Sequence, residues 1–248
     1  GKPLSDARGE IFAAGVWLRY YAELEVPREI IRDDAERFEE VYRRPLGVVS
    51  AITPWNFPLA LAMWKLAPAL RAGNTIVVKP SPYTPLTTLA LARVLRGVLP
   101  DGVLNVVTGP DPLGAALVSH PIPRKVSFTG STAVGKRVAV AAAADLKRVT
   151  LELGGNDPAI ILKDANVEAV AAKLFWSAFG NNGQICLAVK RVYAHEDVQP
   201  ALVEALGELA RKARVDDGMV EGAQLGPLNN KPQFERIKDL VSDAVTNG

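Results

Sequence analysis

Two short runs, Val48-Val49-Ser50-Ala51-Ile52-Thr53 and Thr75-Ile76-Val77-Val78-Lys79, bracket a helical stretch from Ala60 to Ala72, and this unit decides the fold. Both runs are rich in β-branched residues and apolar at successive positions, as strands are when both faces of their sheet are covered. The pattern continues downstream. Leu104 to Thr108 and Val126 to Thr129 read as further strands, separated by helices around Thr87 to Val98, Pro112 to Ser119 and Val134 to Ala143. Strand and helix in turn predict an α/β fold built on a doubly wound, Rossmann-like parallel sheet. Arg148 to Leu153 is its last strand and leads at Gly154-Gly155 into a second α/β unit. There a strand from Ala159 to Leu162, a helix from Val167 to Gly180, a strand near Arg191 to His195 and a helix from Val198 to Ala213 are expected.

Before Val48 the chain opens with a helix. Ser5 is the candidate N-cap, and Ile11, Phe12, Gly15, Leu18 and Ala22 recur at helical spacing up to Pro27. Glu29 to Arg32 and Phe38 to Tyr42 flank Asp33-Asp34 and predict an antiparallel ribbon. Trp17, Trp64 and Trp176 fall within helical stretches and are expected in the core. The expected domains are 1–153, with the opening helix and ribbon, and 154–248, an incomplete second α/β domain.

Composition excludes several classes of function. Hydrophobic residues make up 48% and charged residues 23%, as in ordinary globular proteins. With 29 basic and 27 acidic side chains the formal charge is only +2, and no run of like charge points to nucleic acid or to an anionic membrane. A single cysteine rules out an internal disulfide framework. Apolar runs are broken by Pro, Gly or charge before they reach spanning length, so a cytoplasmic protein without membrane partners is expected. His120 and His195 lack Cys or carboxylate partners at ligand spacing, and no metal site is expected.

The one cysteine, Cys186, lies in Asn181-Asn182-Gly183-Gln184-Ile185-Cys186-Leu187-Ala188. A lone cysteine is commonly a small buried hydrophobe. Here it follows a helix whose apolar positions are Val167, Val170, Leu174 and Ala178, on a glycine-flanked loop that leaves sulfur open and supplies backbone N–H groups beside it. A nucleophilic thiolate needs both. Lys79 closes an apolar strand, either solvated at the rim or aimed at a ligand. Gly130-Ser131-Thr132 stands between strand and helix, where free N–H groups favour a phosphate, although Ser is also an ordinary N-cap.

Five motifs in order carry a resemblance. They are Thr53-Pro54-Trp55-Asn56-Phe57-Pro58, Val77-Val78-Lys79-Pro80-Ser81, Phe128-Thr129-Gly130-Ser131-Thr132 with Gly135, Leu151-Glu152-Leu153-Gly154-Gly155, and Gly183-Gln184-Ile185-Cys186. The chain resembles the aldehyde dehydrogenase superfamily along its whole length. Members are about twice as long, so the chain is expected to be an internal piece, inactive by itself. The resemblance implies an aldehyde substrate, NAD or NADP as cofactor, and a homo-oligomer when full length, to which the ribbon contributes; the alternative for the ribbon is an exposed hairpin with no partner. It places Ile52, Thr53, Pro54, Trp55, Lys79, Ser81, Pro82, Gly130, Ser131, Val134, Gly135 and Leu153 around the cofactor. Gly130 and Ser131 are set against the pyrophosphate, and Lys79 and Ser81 against the adenosine ribose.

It further implies that Cys186 adds to the aldehyde and that Asn56 helps to hold the oxyanion. Glu152, expected to be partly buried, is the base for thioester hydrolysis. Read without the resemblance, Asn56 is a turn residue between prolines and Glu152 a strand-end charge. One departure stands out. The family usually carries Glu three residues after the lysine, where this chain has Pro82, and the choice between NAD and NADP stays open. Two alternatives accompany the main reading. One is a CoA-acylating dehydrogenase, which Glu152 argues against, since those relatives generally lack that base. The other is a non-catalytic, nucleotide-binding piece.

Overall fold

The computed structural model describes residues 1–247. Two compact units divide the chain, Gly9–Leu153 and Gly154–Gly248, the latter joined by Gly1–Arg8. Helix α1 spans Leu4–Glu23. Ser5 therefore lies inside its first turn and is not its cap. The helix ends short of Pro27, because a residue before proline is pushed out of the helical region. Strands β1 (Glu29–Asp33) and β2 (Phe38–Val41) pair antiparallel. The Asp34 carboxylate turns the corner between them, accepting from the amides of Glu36 (2.9 Å) and Arg37 (3.0 Å).

From Val48 the first unit is a parallel α/β sheet. Strand β3 (Val48–Ile52), helix α2 (Pro58–Arg71), strand β4 (Thr75–Lys79), helix α3 (Leu86–Val94) and strand β5 (Leu104–Val106) build one half. Helix α4 (Asp111–Ser119), strand β6 (Lys125–Thr129), helix α5 (Thr132–Ala143) and strand β7 (Arg148–Glu152) build the other. The strands lie in the order β5-β4-β3-β6-β7. Successive side chains alternate between the faces. Val49, Ala51, Ile76 and Val78 pack with Met63 and Leu66 of α2 and with Ala14 of α1. On the other face Ile52, Val126, Phe128 and Leu151 pack with Val118 of α4 and with Val138 and Ala142 of α5. Helix α3 stops before the expected Val98 because Gly97 turns the chain at φ +79°.

In the second unit β8 (Asp157–Ile161) pairs parallel with β9 (Val189–Ala194). Between them lies α6 (Val167–Phe179), whose N-cap Asn166 accepts from the Ala169 amide at 3.0 Å. Helices α7 (Gln199–Lys212) and α8 (Lys231–Asn247) follow. Ile161, Ala171, Leu174, Val198 and Leu202 form this unit's core. Among the described residues no helix is long and apolar enough to cross a membrane.

Two tryptophans depart from the sequence reading. Trp64 is 44% and Trp176 42% exposed, so neither belongs to the core. The inner face of α2 is filled by Met63 and Leu66, and Trp64 stacks on the half-buried Trp17, ring centroids 5.4 Å apart. Trp176 meets Phe175 edge-on.

Buried Asn74 joins the end of α2 to the start of β3. Its Oδ1 accepts from the amides of Leu46 (2.7 Å) and Gly47 (3.1 Å), and its Nδ2 donates to the Ala69 carbonyl (3.2 Å). At about 1 kcal/mol net for each bond, Asn74→Ala should cost about 3 kcal/mol. Urea unfolding midpoints measure this, and a loss below about 1 kcal/mol would mean that water re-pairs these groups.

Candidate active site

Register and alternation sort the sequence-predicted residues of the first unit. At the carboxyl ends of the strands Ile52 stands opposite Lys79 and Phe128, and Phe128 opposite Leu151, a row that faces α4 and α5. Thr129 stands opposite Glu152 in the neighbouring row, which faces α2. The cofactor candidates on the strands thus gather on one side of the rim, and Glu152 stands on the other.

On the α4 side Lys79 is 3% exposed, and its stem passes so close to Gly114 that a Cβ there would lie 3.7 Å from Lys79 Cδ. Its ammonium makes one long bond, 3.5 Å, to the Pro80 carbonyl. Burial pulls its pKa down, and the Asp111 charge opposes the shift. Among the described residues no carboxylate lies within ion-pair distance of it. Ser81 opens a tight turn, its Oγ accepting from Tyr83 N–H (3.3 Å) and its carbonyl from Thr84 N–H (3.2 Å). Pro82, exposed, occupies the second position of that turn. Thr53 donates its amide to the Lys79 carbonyl (3.1 Å), while its buried Oγ1 has no partner among the described residues. The carbonyl of half-buried Trp55 accepts from Thr84 Oγ1 at 3.3 Å.

At the head of α5 the Gly130 amide donates to the Glu152 carbonyl (3.0 Å) and Ser131 Oγ caps the Val134 amide (3.3 Å). The Gly130 and Val134 amides are therefore engaged, and Ser131 is the N-cap of α5. The first-turn amides of Thr132 and Ala133 remain without a helical partner. A Cβ at Gly130 would fall 2.5 Å from the Phe128 ring, and one at Gly135 2.5 Å from Leu153 Cδ2. Close approach of backbone is what these positions require.

On the α2 side Lys65 reaches into the sheet at 6% exposure, donating to Ser127 Oγ (3.2 Å) and Thr129 Oγ1 (2.7 Å). Glu152 is exposed rather than partly buried, because no helix of this unit covers its side of edge strand β7. Asn56 lies in the turn before α2, its Oδ1 accepting from the Phe57 amide at 3.1 Å. Reading the sequence alone passes over Lys65. Its signal was a single charge inside the apolar run Ala60 to Ala69.

In the second unit Cys186 is free and exposed. A 3-10 turn, Gly180–Gly183, follows α6, with Asn181, Asn182 and Gly183 at φ +49°, +59° and +69°. Gln184 fastens the loop, its Nε2 donating to the Asn181 carbonyl (2.8 Å) and its Oε1 accepting from the Asn229 amide (2.9 Å). Asn182 Nδ2 donates to the Gly226 carbonyl. Ile185 to Ala188 then close a turn through Ala188 N–H to the Ile185 carbonyl (3.2 Å). Lys190 Nζ ties this turn from outside, donating to the carbonyls of Ile185 (3.3 Å), Cys186 (3.2 Å) and Ala188 (2.9 Å). Gly155 abuts it, and a Cβ there would sit 2.6 Å from the Cys186 carbonyl oxygen.

Burial of Lys65 lowers its pKa from the ordinary 10.5 to about 8, with Glu152 opposing and Lys125 adding to the shift. The folded state thus binds fewer protons than the unfolded chain between about pH 8 and 10.5. Burying the charge costs about 3 kcal/mol below pH 8, and stability is regained as pH climbs through that window. Urea titrations at pH 7 and pH 10 should show wild type gaining on Lys65→Met by about 1–3 kcal/mol. Parallel profiles for the two proteins would refute it.

The comparisons with known proteins agree with one another. The Aldehyde dehydrogenase family model matches residues 1–248. Mitochondrial succinate-semialdehyde dehydrogenase of Arabidopsis thaliana is 44% identical over 100% of this chain and 48% of its own length. The NADP(+) succinate-semialdehyde dehydrogenase GabD of Escherichia coli is 39% identical over 100% of this chain and 52% of its own. PnpE from Pseudomonas sp. WBC-3, a solved structure, superposes with a TM-score of 0.96 at 39% identity, covering 100% of this chain and 52% of that one. The chain thus spans about half the length of the curated relatives it matches. Over all of that span, the chain belongs to the aldehyde dehydrogenase family.

Proposed function

We propose that the chain is part of an enzyme that oxidises an aldehyde to a carboxylic acid with NAD or NADP, and that Cys186 is its nucleophile. The observation that carries this reading is an exposed thiol on a turn braced through its backbone, in a chain of this family. A carbonyl carbon gives up hydride only after a nucleophile has made it tetrahedral. The Cys186 thiolate adds to that carbon, a C–S bond forms, and the carbonyl π pair moves to oxygen. Asn56 stabilises this oxyanion. Its Oδ1 is held by the Phe57 amide, so the end turned away from that bond is the NH2 donor. A nicotinamide cofactor would supply the hydride acceptor here, and loss of hydride from the tetrahedral carbon leaves a thioester on Cys186. Glu152 takes a proton from water as it attacks the thioester; the C–S bond breaks and the acid leaves.

Residues of the first unit fit a dinucleotide. The unpartnered Thr53 Oγ1 and the buried Lys79 ammonium suit a hydroxylated or anionic group, and the Thr132 and Ala133 amides at the head of α5 suit a phosphate. Ile52, Pro54, Trp55, Ser81, Pro82, Val134 and Leu153 complete the wall in this reading. Residues 1–153 then serve as the dinucleotide-binding domain, and 154–248 as the part of the catalytic domain that carries the nucleophile. The exposed apolar side chains of Ile30, Ile31 and Phe38 support association of the whole protein as a homo-oligomer through the ribbon.

With Pro82 in place of a carboxylate, nothing at that turn position repels a 2'-phosphate, while Lys79 attracts it. The enzyme from the complete reading frame should accept NADP. Pro82→Glu should move its kcat/KM ratio towards NAD, and an unchanged ratio counts against the assignment.

The roles separate in pre-steady-state kinetics. Glu152→Gln should keep a burst of one equivalent of reduced cofactor and slow steady turnover by about 10² to 10⁴, since an amide cannot take the proton from water. Cys186→Ala should abolish the burst, and Asn56→Ala should slow it by about 10² to 10³. A burst that survives in Cys186→Ala would overturn the reading. If Glu152→Gln loses the burst as well, the glutamate is also needed to deprotonate the thiol.

A further inference from the structure

Helix α2 begins without a cap of its own. Phe57 stands at the N-cap position and has no side-chain acceptor, yet the amides that follow are withdrawn from water, with Ala60 9% exposed. Orphaned first-turn amides in such a place need an acceptor. It comes from 49 and 50 residues away in the chain. Glu10 of α1, itself 8% exposed, places Oε1 2.7 Å from the Leu59 nitrogen and 2.9 Å from that of Ala60. A carboxylate at a helix N-terminus also meets the positive end of the helix dipole.

The segment fixed in this way carries Asn56. The Phe57 amide donates to Asn56 Oδ1, and the Phe57 carbonyl accepts the Leu61 amide (3.0 Å), so the first turn of α2 and the Asn56 side chain share one residue. Upstream, Thr53 N–H is bound by the Lys79 carbonyl and the Trp55 carbonyl by Thr84 Oγ1. The turn from Thr53 to Pro58 is thus held at its strand end by β4 and the following loop. At its helix end it is held by Glu10.

We propose that Glu10 is a positioning residue for Asn56, its carboxylate replacing the missing N-cap of α2 and so fixing the direction in which the Asn56 amide points. The inference rests on the oxyanion role given to Asn56 above and goes beyond it. Without the carboxylate, the Leu59 and Ala60 amides must turn towards water, and the first turn of α2 moves with Phe57. Misplacement of a catalytic group by about 1 Å is enough to cost about 10²-fold in rate.

The test is the rate constant of the reduced-cofactor burst in the enzyme from the complete reading frame, with burst amplitude counting intact sites. Glu10→Ala should slow the rate constant about 10- to 100-fold. Glu10→Gln, whose amide oxygen still accepts, should recover most of it. Because both residues act on one oxyanion, Glu10→Ala combined with Asn56→Ala should be no slower than Asn56→Ala alone. If Glu10→Ala lowers only amplitude or Tm, or if the two effects multiply, Glu10 is a structural cap and the inference is overturned. Where Glu10→Ala does not fold, Glu10→Asp takes its place, with the charge kept and the reach shortened by one methylene. A slow Asp variant beside a recovered Gln variant supports positioning, and equal rates in the two overturn it. An Asn56→Ala burst as fast as wild type would instead sink the oxyanion assignment, and the inference with it.

Discussion

Parallel pairing of β3, β4, β6 and β7 in one register is the constraint on which the first unit depends. It brings the carboxyl ends of these strands level, so Thr53, Lys79, Gly130 and Leu153 leave the sheet along one edge. Side-chain alternation then divides that edge. Lys79 and Ile52 fall on the α4 and α5 side, with Leu153 packed against Gly135. Thr129 and Glu152 fall on the α2 side, where Lys65 is buried. A shift of one residue in any strand would exchange the two sets. The separation of the strand-borne cofactor candidates, Ile52 and Lys79, from the candidate base is thus a property of the backbone register.

Helix starts add a second division. Ser131 caps α5 with a neutral hydroxyl that engages one amide and leaves those of Thr132 and Ala133 at the positive end of the helix dipole. Glu10 caps α2 with a carboxylate that engages two amides. A phosphate seeking the first-turn amides of α2 would find those of Leu59 and Ala60 already held by a carboxylate, whereas α5 keeps two amides that its cap does not engage. Of these two helices, α5 is therefore the one that suits a phosphate.

Strands and helices of the first unit were legible because each carries its own periodicity, and errors fell at element ends: helix ends near Pro27 and Val98, where a proline or a left-handed glycine decides, and the end of β5, expected at Thr108 and found at Val106. The candidate site residues were legible as motifs, since Lys79, Gly130 and Glu152 sit where strands end. Contacts over long sequence separation were not. Glu10 belongs to no motif, and its two amide partners lie 49 and 50 residues away, beyond the reach of any local pattern. Lys65 was hidden for the same reason, its hydroxyl partners lying 62 and 64 residues away. The exposure of Glu152 was misjudged because a strand sequence does not say whether it lies at an edge, and β7 does.

The Cys186 loop shows what such an arrangement costs. Two consecutive non-glycine residues, Asn181 and Asn182, hold left-handed φ values, a conformation that is unfavourable by about 1–2 kcal/mol for a residue with a Cβ and least so for Asn. Nothing in the regular ladder β8-β9 requires this detour. It persists because amides on both sides fasten it, Gln184 to the backbone of Asn181 and Asn229, and Asn182 to Gly226. The bonds over-determine the backbone before Cys186, and Lys190 does the same for the carbonyls around it. Strain held in this way is typical of positions where a reacting group must be presented in one direction. The thiol side chain takes no part in any of these bonds, so the whole cost is borne by its neighbours, and the sulfur is left exposed on a fixed backbone.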